Sequence, residues 1–76
     1  MNLQHLIKMA NQIGAFFSTM PDHEQAVKDL ATHLKRFWEP RMRRALLEYV
    51  ENEGGPELSD IVLEAVKAHH ADLQVA

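Results

Sequence analysis

Proline and glycine residues divide this chain into four segments, and their positions constrain its fold more than any other feature of the sequence. Pro21, Pro40 and the Gly54–Gly55 pair each stand between two stretches rich in apolar residues. Within each stretch the apolar residues recur three or four positions apart, and none alternates with a period of two. The sequence therefore predicts an all-α fold, a small bundle of four short amphipathic helices that forms a single domain over residues 1–76.

The first predicted helix, from about Leu3 to Thr19, has a very wide apolar face. Its two adjacent apolar stripes cover about half of the circumference, whereas a peripheral helix usually needs about 100°. The stripes consist of Leu3, Ile7, Ala10, Gly14 and Phe17, and of Leu6, Met9, Ile13, Phe16 and Met20. Ala10 and Gly14, four residues apart, would let another backbone approach closely. Either helix 1 is central to this fold, or one of its stripes faces another protein.

The second and third predicted helices meet at Pro40. Asp22 is a good N-cap with Gln25 as its capping-box partner, and this second helix extends to about Trp38. A residue that precedes proline avoids the helical region, so the helix ends there. The third helix covers about Pro40–Asn52, because proline suits a first helical turn and glycine commonly follows a last one.

The fourth predicted helix begins after Ser59, which is expected to be its N-cap. Leu58 and Leu63 occupy the positions of a hydrophobic staple around that cap. The apolar face of this helix is formed by Ile61, Val62, Ala65, Val66 and Leu73.

Length and composition argue against several classes of function. A chain of 76 residues is short for an independent enzyme, because a site that excludes solvent needs walls. It has no cysteine, and no two of its five histidines are spaced i, i+4. We therefore expect no catalytic residue, no cofactor-binding residue and no metal ligand in this chain. No signal peptide or membrane span is expected either, so the predicted location is cytoplasmic.

Charge is distributed unevenly along the chain. Residues 35–44 contain five basic residues and one acidic residue, whereas residues 45–64 contain six acidic residues and no basic one. Two interpretations remain open. The opposite charges neutralise each other within one fold, or the basic segment contacts a partner.

The basic segment also carries aromatic residues, and this combination is typical of protein interfaces. Three arginines fall in the first turn of helix 3, where the helix dipole disfavours cations. One of them, Arg43, falls inside the apolar arc and must either extend to water or meet an acceptor. The candidate partner-binding residues are Phe16, Phe17, Phe37, Trp38, Pro40, Arg41, Arg43 and Arg44. In the alternative interpretation Trp38 belongs to the core, Arg43 pairs with a local glutamate, and nothing docks here.

Helices 2 and 3, joined by a short turn with basic residues at the start of the second, superficially suit a helix-turn-helix. Against this, Glu48, Glu51 and Glu53 follow on the same helix and would repel phosphate, and the net charge is −3. We expect no nucleic-acid partner, and a small helical DNA-binding regulator remains an alternative.

The chain resembles the delta subunit of bacterial NAD-dependent, molybdenum-containing formate dehydrogenases from about Leu6 to Ala68. Asn-Gln-Ile before an aromatic pair, followed by Phe-Trp-x-Pro-Arg-Met-Arg, is a specific combination. The segments that carry the resemblance are Leu6 to Phe17, His33 to Arg44, Gly54 and Gly55, Leu58 and Ser59, and Ile61 to Ala65.

The resemblance implies a non-catalytic accessory subunit without a redox centre. The implied partners are a large molybdenum and iron–sulfur subunit that oxidises formate to carbon dioxide, and flavin and iron–sulfur subunits that reduce NAD. The implied role is support for assembly or stability of that complex. A free-standing assembly factor for molybdenum cofactor insertion, which leaves the mature enzyme, is the alternative. The wide apolar face of helix 1 also predicts that the isolated chain either self-associates at moderate concentration or exposes a hydrophobic patch that binds the dye ANS.

Overall fold

Five α-helices build the fold in the computed structural model, which describes residues 2–75. They are α1 (Leu3–Phe17), α2 (His23–Phe37), α3 (Pro40–Glu53), α4 (Asp60–Ala68) and α5 (His70–Leu73). The described residues contain no strand. The predicted all-α bundle is therefore confirmed, with one additional helical turn at the end.

The helix ends follow local signals, with small shifts from prediction. Asp22 caps α2 by accepting a 3.1 Å hydrogen bond from the Gln25 backbone N–H. Gly54 ends α3 in the left-handed conformation, with φ of 80°. The first helix ends at Phe17 rather than Thr19. Ser59 occupies the predicted N-cap position of α4, although its side chain makes no capping hydrogen bond.

The chain bends at His69, and this bend separates α4 from the single turn of α5. The backbone at His69 has φ of −117° and ψ of 30°, outside the helical region. The turn that follows brings Leu73 into the core, where it is 1% exposed and α5 packs against α2 and α3. A straight fourth helix was the simpler expectation, and the bend gives Leu73 its buried position.

Helix α1 packs against α2, α3 and α4, and its buried residues are Leu6, Ile7, Ala10 and Gly14. Ala10 is fully buried, and a Cβ atom on Gly14 would lie 2.6 Å from the Cγ2 atom of Val62. The predicted close approach of another element at these small residues is therefore confirmed, and that element is α4. The core consists of Leu6, Ile7, Ala10, Ala26, Val27, Leu30, Ala31, Leu34, Trp38, Leu46, Leu47, Tyr49, Leu58, Ile61, Val62, Ala65, Val66 and Leu73.

Asn11 fastens the connection between α3 and α4 to α1. Its amide group donates to the backbone carbonyl of Glu57 at 2.9 Å and accepts from the backbone N–H of Ser59 at 2.8 Å. The hydroxyl of Tyr49 accepts a further hydrogen bond from the Glu57 backbone N–H at 2.9 Å. These bonds satisfy backbone groups that no regular element pairs, and they order the connection.

Candidate functional site

Four aromatic rings form a continuous strip that joins the C-terminal end of α1 to the C-terminal end of α2. The ring centroids lie 5.3 Å apart for Phe16 and Phe17, 5.8 Å for Phe17 and His33, and 4.8 Å for His33 and Phe37. We call these four residues the aromatic strip. Such edge and tilted arrangements are favourable for aromatic pairs. The strip is thus an ordered surface feature, since each ring contacts the next.

The two ends of the aromatic strip are exposed to solvent. Phe16 is 70% exposed and Phe37 is 68% exposed. Phe17 is half-buried and packs against the core, and the adjacent residue on a helix points about 100° away, which turns Phe16 outward. His33 and Phe37 are four residues apart on α2 and therefore share one face. The local helix geometry therefore leaves both phenylalanines exposed to solvent, while Phe17 packs against the core.

The basic residues around the end of α2 and the start of α3 form what we call the basic cluster, which consists of Lys35, Arg36, Arg41, Arg43 and Arg44. Four of them are exposed, and Arg43 is half-buried. The guanidinium carbon of Arg36 lies 5.9 Å from the centroid of the Phe37 ring, within the range of a cation–π contact. Arg36 therefore joins the cluster directly to the strip.

None of these cations is paired with a carboxylate among residues 2–75. The ion pairs in that range all involve histidine, between His23 and Glu64, between His69 and Asp72, and between His70 and Glu51. The interpretation that the basic and acidic segments neutralise each other through direct pairs is therefore wrong. The basic cluster remains available for charges from outside the chain.

One hydrogen-bond donor of the Arg43 side chain is unsatisfied within the described residues. Its Nε atom is buried and has no hydrogen-bond partner within the described residues. The expected pairing of Arg43 with a local glutamate is not formed. An unsatisfied buried donor costs about 1–3 kcal/mol. The fold thus tolerates an arginine at a half-buried position of α3, next to buried Leu46 and Leu47.

The structure brings most of the predicted contact residues to the surface, with one correction. Trp38 is only 5% exposed and belongs to the core, so it cannot supply the exposed contact area expected of an interface anchor. Its backbone leaves the helical region with ψ of 130°, and the ring lies inside the bundle. The exposed predicted residues are Phe16, Phe37, Pro40, Arg41 and Arg44, and the half-buried ones are Phe17 and Arg43.

Sequence reasoning missed two members of this surface. His33 bridges Phe17 and Phe37, and its spacing of four residues from Phe37 was the available signal. Arg36 lies against Phe37, and it was recognised only as part of the basic segment. Only the contact between Phe17 and His33 depends on how α1 packs against α2.

Residues 2–75 contain no group of three or more side chains placed to hold a metal ion. In the same part of the chain, no helix combines the length and the apolar character that crossing a membrane requires.

Comparison with known proteins identifies the family of the chain. No curated protein and no solved structure matches it. A family model does match, described as the NADH-dependent formate dehydrogenase delta subunit FdsD, over residues 5–66. The matched range includes the aromatic strip and the basic cluster, and it confirms the resemblance noted in the sequence. The chain therefore belongs to the FdsD family of NADH-dependent formate dehydrogenase delta subunits.

Proposed function

We propose that this chain is a non-catalytic subunit that supports the assembly or stability of an NAD-dependent formate dehydrogenase. It does so by docking to the large molybdenum and iron–sulfur subunit, which oxidises formate to carbon dioxide, while flavin and iron–sulfur subunits reduce NAD. The single observation that carries the proposal is the exposed aromatic strip beside an unpaired basic cluster. The proposed setting of the complex is the cytoplasm.

The energetics of the aromatic strip favour a docking role. Burying a phenylalanine side chain stabilises by about 1.5–3 kcal/mol relative to leaving it in water. Phe16 and Phe37 forgo most of that gain within this chain, since each is more than two-thirds exposed. Neighbouring exposed apolar residues on a small domain mark interaction surfaces, and aromatic residues with arginine dominate interface energetics.

The interior of the chain is compatible with the accessory role that we propose. Among the described residues, no polar or charged side chain is buried, and the core is apolar throughout. Such a core serves to hold helices together. The functional side chains that distinguish this domain lie on its surface, where they suit binding.

Reconstitution of the enzyme in cells that lack this chain tests the proposal. Cells would receive the wild-type chain, the Phe16→Ala/Phe37→Ala variant, or Lys8→Ala/Lys67→Ala as a matched double control on exposed residues elsewhere. We expect the wild type and the control to co-purify with the large subunit in stoichiometric amount and to restore the yield of assembled, molybdenum-loaded enzyme. We expect the phenylalanine variant to do neither.

Two results would count against the proposal. Normal yield and molybdenum content without any delta chain would remove the assembly role. Presence of the wild-type chain only in immature, molybdenum-free complexes would favour the free-standing assembly factor.

A further inference from the structure

The basic cluster and the aromatic strip meet at Phe37, and together they define the chemistry of the partner. We propose that this face takes an acidic protein surface with an apolar centre on a different subunit, rather than a second copy of this chain. The inference rests on the proposed function and names the kind of surface to which the chain docks.

Charge is the first argument for an acidic partner. Residues 35–44 hold five cations and one carboxylate, although the chain as a whole carries −3. No lysine or arginine among residues 2–75 forms an ion pair with a carboxylate in that same range. Arginine offers a planar fork of donors that matches a carboxylate bidentately. Carboxylates on a partner would therefore provide hydrogen-bond acceptors for the basic cluster, which pairs with no carboxylate among residues 2–75.

The placement of the rings is the second argument. Phe16 and Phe37 mark the two ends of a strip whose middle, at Phe17, already packs on the core. Arg36 lies over Phe37, so a partner that covers this ring also brings its own groups to the guanidinium. An apolar centre within a charged rim is the usual anatomy of a specific interface.

A second copy of the chain fits this face poorly. A symmetric dimer places the same patch of both subunits against each other, so each basic cluster would face its counterpart. Like charges within a Debye length of about 10 Å repel each other at ordinary ionic strength. A nucleic acid also fits poorly, because Glu48, Glu51 and Glu53 are exposed further along α3.

Binding of the purified chain to formate dehydrogenase isolated without its delta subunit tests the inference. The informative variant is Arg41→Glu/Arg44→Glu, because both side chains are exposed. The matched control is Lys8→Glu/Lys67→Glu, which makes the same change in net charge at exposed positions outside the basic cluster. Thermal unfolding followed by circular dichroism checks each variant, and Arg41→Gln/Arg44→Gln replaces the reversal if the latter is unfolded.

At low salt we expect the arginine reversal to weaken binding at least tenfold and the lysine control to leave it within about twofold of the wild type. High salt should weaken wild-type binding and shrink the difference between the variants, since screening removes the charge contribution. Equal losses of affinity in the arginine and lysine variants would mean that only the net charge of the chain matters, and this result would overturn the inference.

The remaining outcomes separate this inference from the proposed function. If the arginine reversal binds normally while Phe16→Ala/Phe37→Ala does not, the acidic partner is wrong and the docking role stands. If neither variant loses affinity, this face is not the docking surface, and both the acidic partner and the docking role proposed for it are wrong. Sedimentation velocity tests for a dimer. If the wild type dimerises and Phe16→Ala/Phe37→Ala does not, the face binds a second copy of the chain instead. Salt-sensitive binding to duplex DNA that the arginine reversal abolishes would assign it to nucleic acid.

Discussion

Gly14→Ala is expected to destabilise the fold, although alanine favours helices. The new Cβ atom would lie 2.6 Å from the Cγ2 atom of Val62 and 3.1 Å from that of Ile61. Val62 is fully buried and β-branched, so its methyl group has little freedom to rotate away. Overpacking costs about 1–3 kcal/mol, and a contact this short belongs near the upper end. Helix propensity returns about 1 kcal/mol, which leaves a net loss of about 2 kcal/mol.

Urea and thermal unfolding followed by circular dichroism measure this loss. In a domain of this size, each 1 kcal/mol lowers the melting temperature by about 4–8 °C, so the expected decrease is roughly 8–16 °C. Ala15→Gly is the matched control on the same helix, because Ala15 is exposed. That control should lose about 1 kcal/mol through helix propensity alone.

A gain in stability from Gly14→Ala, similar in size to the loss from Ala15→Gly, would refute the reasoning. It would mean that the approach of α4 does not require glycine at this position. A second test uses Val62→Ala, which removes the methyl group that the new Cβ would meet. In that background Gly14→Ala should be neutral or stabilising, and persistence of the full loss would assign the strain to another contact.

Four further outcomes follow from the burial and hydrogen bonds described above. Trp38→Ala should lower the free energy of unfolding by about 3–5 kcal/mol in urea titration, and a loss below about 1 kcal/mol would return the ring to the surface. Asn11→Ala should cost about 1–3 kcal/mol and accelerate amide exchange in the connection from α3 to α4, whereas unchanged exchange there would show that the two bonds do not order it. Arg43→Met keeps an apolar stem and removes the unsatisfied Nε, so urea titration should show equal or higher stability, and a decrease would mean that Nε has a partner. The wild type should bind the dye ANS and Phe16→Ser/Phe37→Ser should lose most of that fluorescence, while equal signals would place the dye elsewhere.

Features determined by local chemistry could be predicted from the sequence. Proline at position 40 and glycine at position 54 set the boundaries of α3 to within one residue. Asp22 caps α2 as its residue type predicts, because that bond needs only neighbours in the chain. The small side chain at Gly14 also signalled a close approach, although not the element that makes it.

Features determined by contacts between helices could not be predicted. Leu6 and Phe16 lie on the same predicted stripe of α1, yet Leu6 is buried and Phe16 is exposed. The alternative that helix 1 is central holds for its buried residues from Leu6 to Gly14, whereas contact of its exposed end at Phe16 with another protein stays a prediction. For the same reason the sequence left open whether Trp38 lies in the core or in an interface. A helical wheel gives the direction of a side chain but not the position of the helix that will meet it.

The start of α3 has a consequence for motion within the native state. Its N-cap, Glu39, makes no side-chain capping bond, and the start of the helix holds three arginines, Arg41, Arg43 and Arg44, with no acidic residue in the first turn. Because cations at this end oppose the helix dipole, we expect the first turn to open more readily in local unfolding than a capped turn does. Carboxylates from another subunit would offset the unfavourable interaction between these arginines and the helix dipole. Local unfolding of the first turn would then become less frequent. If the proposed docking occurs, this turn is expected to be more stable in the complex than in the free chain.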